Sequence, residues 1–223
     1  MTARARARRE RRRLLRLHRY EFAARERGFV LVGGVDEVGR GPLAGPVVAA
    51  CVVVDDLLML PGLDDSKRVP PARRDELAEA IKRRARGWAI GEASVEEIDR
   101  LNIYWASLLA MERALAQLAV APHYLIVDAM RVRSFGGEQL ALIKGDANSA
   151  TVAAASIVAK VHRDRLLVAL DARYPAYGFA RHKGYATPEH LEALRRCGPC
   201  AEHRRGYAPV RAATPALQLP LSP

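Results

Sequence analysis

Gly33-Gly34-Val35-Asp36-Glu37-Val38-Gly39-Arg40-Gly41-Pro42-Leu43-Ala44-Gly45-Pro46-Val47-Val48-Ala49-Ala50 sets two acids and a glycine- and proline-rich segment between two valine-rich apolar runs. Residues 29–35 and 47–54 read as strands and residues 39–46 as the turn region between them, an antiparallel pair being the simplest connection. Asp36 and Glu37 follow the first strand directly, where two charges cost desolvation unless something cationic compensates them. A divalent metal is one answer and a salt-bridged strand end is the other; spacing alone leaves both open. Neighbouring strand residues point to opposite faces, so both acids serve one site only if the strand ends or bends here.

Working outward, residues 70–85 read as a helix with prolines at its entry and cations in its last turns. Residues 88–93 form a third candidate strand. Ser94 with Glu97 three residues on has the form of a capping box, and Ile98, Leu101, Trp105 and Leu108 recur at helical spacing, predicting one long helix to about Leu118. Residues 124–127 and 140–143 are short strands, each followed within a few residues by an aspartate, Asp128 and Asp146. Ala154, Ile157, Val161 and Val168 mark one stripe of a helix over residues 149–172. Asp146, just ahead of that helix, also suits an N-cap. Beyond it come a loop, one short helix over residues 188–196 and a second loop.

Strands first in a meander and then alternating with helices predict an α/β fold, a mixed sheet flanked by helices, with strand ends and their acids gathered on one side. The divisions expected are an Arg-rich arm, residues 1–28, with a helix over 12–24 whose Leu14, Leu17 and Phe22 could face the body; a catalytic body, 29–172; a small helical and loop extension, 173–208; and a fraying proline-rich tail, 209–223.

With 223 residues, half of them hydrophobic, the chain suits one main globular domain. Its formal charge of +11 is unevenly placed, because nine arginines and a single glutamate fall in residues 1–20. The rest is only mildly basic, so net charge argues weakly for nucleic acid. Three cysteines form no framework, and no apolar run resembles a membrane span or a signal peptide, which makes the cytoplasm the default. The arm is basic and acid-poor like a transit peptide but contains no serine, so a solvated arm is the better reading.

The segment Gly34 through Ala50 closely resembles the opening signature of ribonuclease HII, the bacterial type 2 ribonuclease H. Further likenesses follow in order: Asp65-Ser66-Lys67; Val127-Asp128-Ala129; Lys144-Gly145-Asp146; the helix from Ala153 to Val161 with Arg163-Asp164; and His182-Lys183-Gly184-Tyr185. The resemblance covers residues 33–210. It implies a ribonuclease H-like fold in which Asp36, Glu37, Asp128 and Asp146 hold two Mg²⁺ or Mn²⁺ ions, hard cations that prefer carboxylate oxygen. Two such ions activate the attacking water and stabilise the leaving oxygen. It further implies that Gly39, Arg40 and Gly41 read the ribose 2′-hydroxyl, that Tyr185 stacks on the adjoining deoxyribose, and that Lys67 and Lys183 contact phosphates. Plain structural roles compete with each of these: a hairpin turn, a packed tyrosine and solvated lysines.

The implied task is cutting the RNA strand of RNA–DNA hybrids, including single ribonucleotides embedded in DNA, on their 5′ side, by a monomer with no membrane partner. The competitors are a ribonuclease HIII-like hybrid nuclease, whose usual N-terminal domain has too few residues here before Gly33, and a catalytically silent hybrid-binding protein. Ala186 replaces a usual glycine, and Gly206-Tyr207 a usual Ser-Phe. Cys197-Gly198-Pro199-Cys200 spells a redox motif in the wrong context, and a zinc site with His182 or His203 is the lesser alternative.

Overall fold

In a computed structural model, which describes residues 2–214, the chain begins with two helices, α1 (Ala3–Leu17) and α2 (Arg19–Glu26). The strands β1 (Val32–Val38) and β2 (Val47–Val54) follow, then α3 (Pro71–Arg84) and β3 (Gly87–Ala93). The chain continues through α4 (Val95–Leu101), α5 (Ile103–Ala116), β4 (Tyr124–Asp128), β5 (Glu138–Leu142), α6 (Gly145–Asn148) and α7 (Ala150–Arg173). It closes with α8 (Phe179–His182), α9 (Pro188–Cys197) and α10 (Ala208–Ala212).

The five strands form one sheet in the order β3-β2-β1-β4-β5. β3, β2 and β1 are antiparallel, the meander expected from the valine runs, whereas β4 and β5 lie parallel to β1. Both faces of β2 are buried, so its sequence is continuously apolar rather than alternating. Val48, Ala50, Val52 and Val54 pack toward α7 and α3; Val47, Ala49, Cys51 and Val53 pack toward α5. The alanines of α7 and Gly34 of β1 let helix and sheet approach closely: a Cβ on Gly34 would lie 2.2 Å from the Thr151 carbonyl carbon.

Several expectations are corrected. β1 runs on to Val38, so Asp36 and Glu37 lie inside a paired strand and not after it. The long helix from Ser94 is two helices: the capping box opens α4, but Asn102 turns left-handed (φ 68°) and its side chain accepts from the amides of Tyr104 and Trp105 to start α5. Trp105 is consequently exposed, as is Val168 on the predicted stripe of α7.

The arginine-rich segment is not simply solvated. Leu14 and Leu17 are buried as expected while Phe22 is exposed, and His18 bridges Leu14 O and the Leu58 amide. Glu21 is fully buried, its Oε1 accepting from the Ser149 hydroxyl (2.6 Å) and from the amide and hydroxyl of Thr151 (2.9 Å each) at the start of α7. At the other end, residues 209–212 are helical and Val210 is buried, so this part of the expected frayed tail is packed; residues 215–223 lie outside the described residues.

Candidate active site

Asp36 pairs with Ala50 and Glu37 with Ala49 across the β1–β2 ladder, so the two side chains leave β1 on opposite faces, Asp36 on the side of α7. Val35 pairs with Val127, which brings Asp128, at the end of the parallel strand β4, abreast of Asp36. Asp128 Oδ1 accepts from the Gly145 amide at 2.6 Å, tying β4 to α6 and to Asp146 one residue on. Asp146 is not the cap of α7. That role belongs to Ser149, whose hydroxyl accepts from the Val152 amide, while Asp146 Oδ1 accepts from Ala147 and Oδ2 lies 3.5 Å from Lys67 Nζ. Ser66, beside Lys67, is held by the hydroxyl of Ser156 on α7 (2.9 Å).

The acids from three stretches of chain therefore share one neighbourhood, and their electrostatics show it. Burial pushes Asp36 well above the usual carboxylate range; Glu37 adds to this, the Ser156 hydroxyl opposes it, and Asp128 and Asp146 add more. Glu37 is raised by burial and by Asp128, against the pull of Arg40. Asp128 is raised by burial and Asp146, against the Gly145 amide and Lys67. Partial burial works against Lys67, yet Asp65, Asp146 and Asp36 together raise it.

Glu37 Oε1 meets Arg40 at 3.3 Å, but its buried Oε2 has no partner. Crowded anions and an orphaned carboxylate oxygen are what a cation-binding site of hard oxygen donors requires, so these residues fit divalent ions. As the side chains lie, no three histidine, cysteine or acidic groups among the described residues converge on one point.

The turn after β1 lies over this cluster's rim. Gly39 has φ 97°, and a Cβ there would meet Arg163 Nε at 2.2 Å, so this position demands glycine twice over. Arg163 and Arg204, both fully buried, donate to main-chain carbonyls and to no acid: Arg163 to Ala44, Pro46 and Lys183, Arg204 to Gly39, Arg40, Gly45 and Pro46. With carbonyls turned inward, the amides of Arg40 and Gly41 have no protein acceptor among the described residues. Tyr185 is exposed beside Gly41, its carbonyl held by His190 Nδ1 (2.8 Å), and Gly184 O accepts from Leu43 N, joining the two loops.

Lys183 stands apart from the other expected contacts. Its Nζ donates to the Ala180 carbonyl, and it lines a cavity of about 320 Å³ between α3 and α7 with Arg74 and Asp164. Sequence reasoning gave Ser156, Arg163 and Arg204 no role, and marked Tyr207 only as a departure from the family pattern; polar groups inside apolar helices and late loops carry no spacing signal. Cys197 is exposed, and Cys200 Sγ lies 3.1 Å from His203 Nδ1, whose other nitrogen meets His190.

A mixed sheet flanked by helices, with acids within one another's field where β1, β4 and α6 come together, fits a metal-dependent nuclease of the ribonuclease H-like class, a phosphodiester hydrolase. The family model described as Ribonuclease HII matches residues 33–209. Ribonuclease HII of Pelotomaculum thermopropionicum is 55% identical over 201 residues, 89% of this chain and 76% of the relative. That of Moorella thermoacetica is 53% identical over 198 residues, 89% of this chain and 96% of the relative. Among solved structures, ribonuclease H2 from Pyrococcus horikoshii OT3 superposes with TM-score 0.70 at 28% identity, covering 82% of this chain and 96% of its own. Bst-RNase HIII in complex with Mn²⁺ shares the fold at 21% identity and TM-score 0.65, over 86% and 71% of the two chains. The chain belongs to the ribonuclease HII family, whose members are metal-dependent endoribonucleases acting on RNA–DNA hybrids.

Proposed function

We propose that the chain hydrolyses the RNA strand of RNA–DNA hybrids and also excises single ribonucleotides embedded in duplex DNA, cutting on their 5′ side to leave a 3′-hydroxyl and a 5′-phosphate. The observation that carries the reading is the burial of Asp36 within the field of Glu37, Asp128 and Asp146, a crowding of negative charge that divalent cations would relieve. Asp36, Glu37, Asp128 and Asp146 would hold two Mg²⁺ or Mn²⁺ ions. When bound, these supply the activation of water and the stabilisation of the leaving oxygen for in-line displacement.

The chain's own residues bind and orient the substrate. The outward amides of Arg40 and Gly41 suit a ribose hydroxyl approached without a Cβ, and the Arg40 guanidinium suits a phosphate. Tyr185 offers a ring to the deoxyribose that follows. Lys67 contributes charge to the scissile region, and Lys183, from the α3–α7 side, reaches a phosphate only by leaving Ala180. Residues 29–172 act as the catalytic body and 173–208 as its substrate-binding extension, in a monomer working in the cytoplasm. No helix among the described residues is long and apolar enough to cross a membrane.

The test is cleavage of a duplex carrying one ribonucleotide beside a long hybrid, with and without Mg²⁺. Metal-dependent cutting of both is expected; inactivity on the single-ribonucleotide duplex overturns the substrate reading. Asp36→Asn or Asp146→Asn should abolish cleavage while duplex binding persists, and near-normal rates in either would remove the site assignment.

A further inference from the structure

Apart from Arg13, the positive charge of α1 is not used by the fold. Arg4, Arg6, Arg8, Arg9, Arg11, Arg12 and Arg16 are all exposed and none is paired with an acid among the described residues. The helix's one acid, Glu10, is already engaged by Arg13 and the Gly62 amide, and its carboxyl is held down to about 2, chiefly by Arg13. Arg4, Arg8, Arg12 and Arg16 form an i, i+4 row, and each like-charged step in such a row costs about 0.2–0.5 kcal/mol in an isolated helix. This helix is therefore stable at its own expense unless a polyanion lies along it.

Its position is fixed, and it is fixed beside the candidate site. Leu14 and Leu17 are buried with Leu58, Leu60 and Leu63 in the core on the α7 side of the sheet. Arg13 donates to Leu63 O (2.8 Å) and Glu10 accepts from Gly62 N (2.8 Å), in the loop whose next turn carries Lys67 to Asp146. On α2, Arg19 donates to Asn148, two residues past Asp146 (2.7 Å). Residues 2–9, by contrast, are exposed throughout, so the first half of α1 projects from this anchorage with nothing but arginine and alanine to offer beyond Thr2.

We infer that α1 is a second nucleic-acid contact, a docked arginine rail that engages the phosphates of the substrate duplex outside the cleavage site. The inference rests on the substrate reading above. At about 1.5 Å per residue the Arg4–Arg16 row is about 18 Å long, with guanidinium stems about 6 Å apart. That length overlays about five base-pair steps at roughly 3.4 Å each. The contact is sequence-independent, since arginines on a smooth row meet phosphates and not base edges. It adds affinity and a steeper salt dependence, and leaves the chemical step alone.

The experiment replaces Arg4, Arg8, Arg12 and Arg16 together by glutamine in the full chain, keeping Leu14, Leu17, Glu10 and Arg13 so that α1 stays docked; circular dichroism checks the fold. Cleavage of a single ribonucleotide is measured in duplexes of about 12 and about 40 base pairs, and binding to the longer one without metal is followed against salt. The expected result is an unchanged kcat on both, a KM raised roughly tenfold on the long duplex alone, and a log–log salt slope shallower by about two to four.

An unchanged salt slope, or an equal KM change on both lengths, overturns the inference. So does tighter binding of the wild type to anionic phosphatidylglycerol vesicles than to the duplex, because it assigns the rail to a lipid surface. If the wild type cleaves neither substrate, the substrate reading has failed, and the salt slope on the long duplex still decides the rail.

Discussion

The phenolic oxygen of Tyr207 stands 2.5 Å from the main-chain carbonyl oxygen of Arg40, the same carbonyl that Arg204 Nη1 reaches at 3.0 Å. Tyr207 occupies one of the two positions where the chain departs from the usual Ser-Phe of its family. The phenolic hydroxyl thus supplies a second hold on the turn whose amides are proposed to receive the ribose. Tyr207→Phe removes that hold and keeps the ring packed with Leu43 and Val210. We expect KM for a single-ribonucleotide duplex to rise about three- to tenfold, in line with one hydrogen bond of roughly 1 kcal/mol, with little change in Tm. Steady-state kinetics on the two proteins decides it, and identical KM values would refute the role.

Charge crowding at the acid cluster predicts a pH-dependent stability. Asp36, Glu37 and Asp128 are all raised in the folded protein, first by burial. The folded state therefore holds more protons than the unfolded chain from roughly pH 4 upward, so stability falls as pH rises through the raised values. In the presence of chelator, Tm should decline from acidic to neutral pH, and Mg²⁺ should reverse the decline. Asp36→Asn should raise the chelated protein's Tm by roughly 2–4 °C per kcal/mol of relieved repulsion and shrink the Mg²⁺ response. A chelated Tm that climbs with pH would contradict the assignment.

Glu21 anchors α2 to the start of α7 with one oxygen accepting three hydrogen bonds, and its charge lies at the positive end of that helix. Glu21→Ala leaves the Thr151 amide and one of the two hydroxyl protons without an acceptor in a buried place, since Ser149 and Thr151 can still bond to each other (3.1 Å). A loss of about 2 kcal/mol is expected in urea unfolding, and a loss below about 0.5 kcal/mol would show that water substitutes fully.

Gly34→Ala tests how tightly α7 sits on the sheet. The new methyl would lie 2.2 Å from the Thr151 carbonyl carbon and 2.5 Å from Val152 N, backbone atoms that cannot swing away. Lifting α7 should cost about 3 kcal/mol and carry Ser156 away from Asp36. The check is calorimetry on the purified variant; a wild-type Tm would mean that the contact relaxes freely.

The parts of the architecture that could be read from sequence are those with a local physical signature. Valine runs gave the β1–β2 pair, Ser94 with Glu97 gave the capping box, and aspartates after short strands pointed to Asp128 and Asp146. The break at Asn102 left no trace, because apolar spacing continues across it and only a left-handed backbone reveals two helices. Asp36 and Glu37 lie within a strand on opposite faces, since pairing with β2 extends β1 past the last valine-rich stretch. The carbonyl clamp of Arg163 and Arg204 could not be read at all: a buried arginine satisfied by main-chain oxygens needs no partner of its own in the sequence. Leu14 and Leu17 could be read as anchors of the arm, but the start of α1 at Ala3 could not, because residues 3–9 are arginine and alanine alone, with no apolar stripe.

The parallel pairing of β4 with β1 has a bearing on the protein's own synthesis. As the ribosome extrudes the chain, Asp36 and Glu37 emerge long before Asp128 exists to stand beside them, and the meander of β1, β2 and β3 can close without it. A nascent polypeptide or a prematurely terminated fragment that stops short of β4 in consequence lacks both Asp128 and Asp146, half of the acids proposed to hold the metal ions. The proposed site is therefore complete only once β4 and α6, the second half of the fold, are in place.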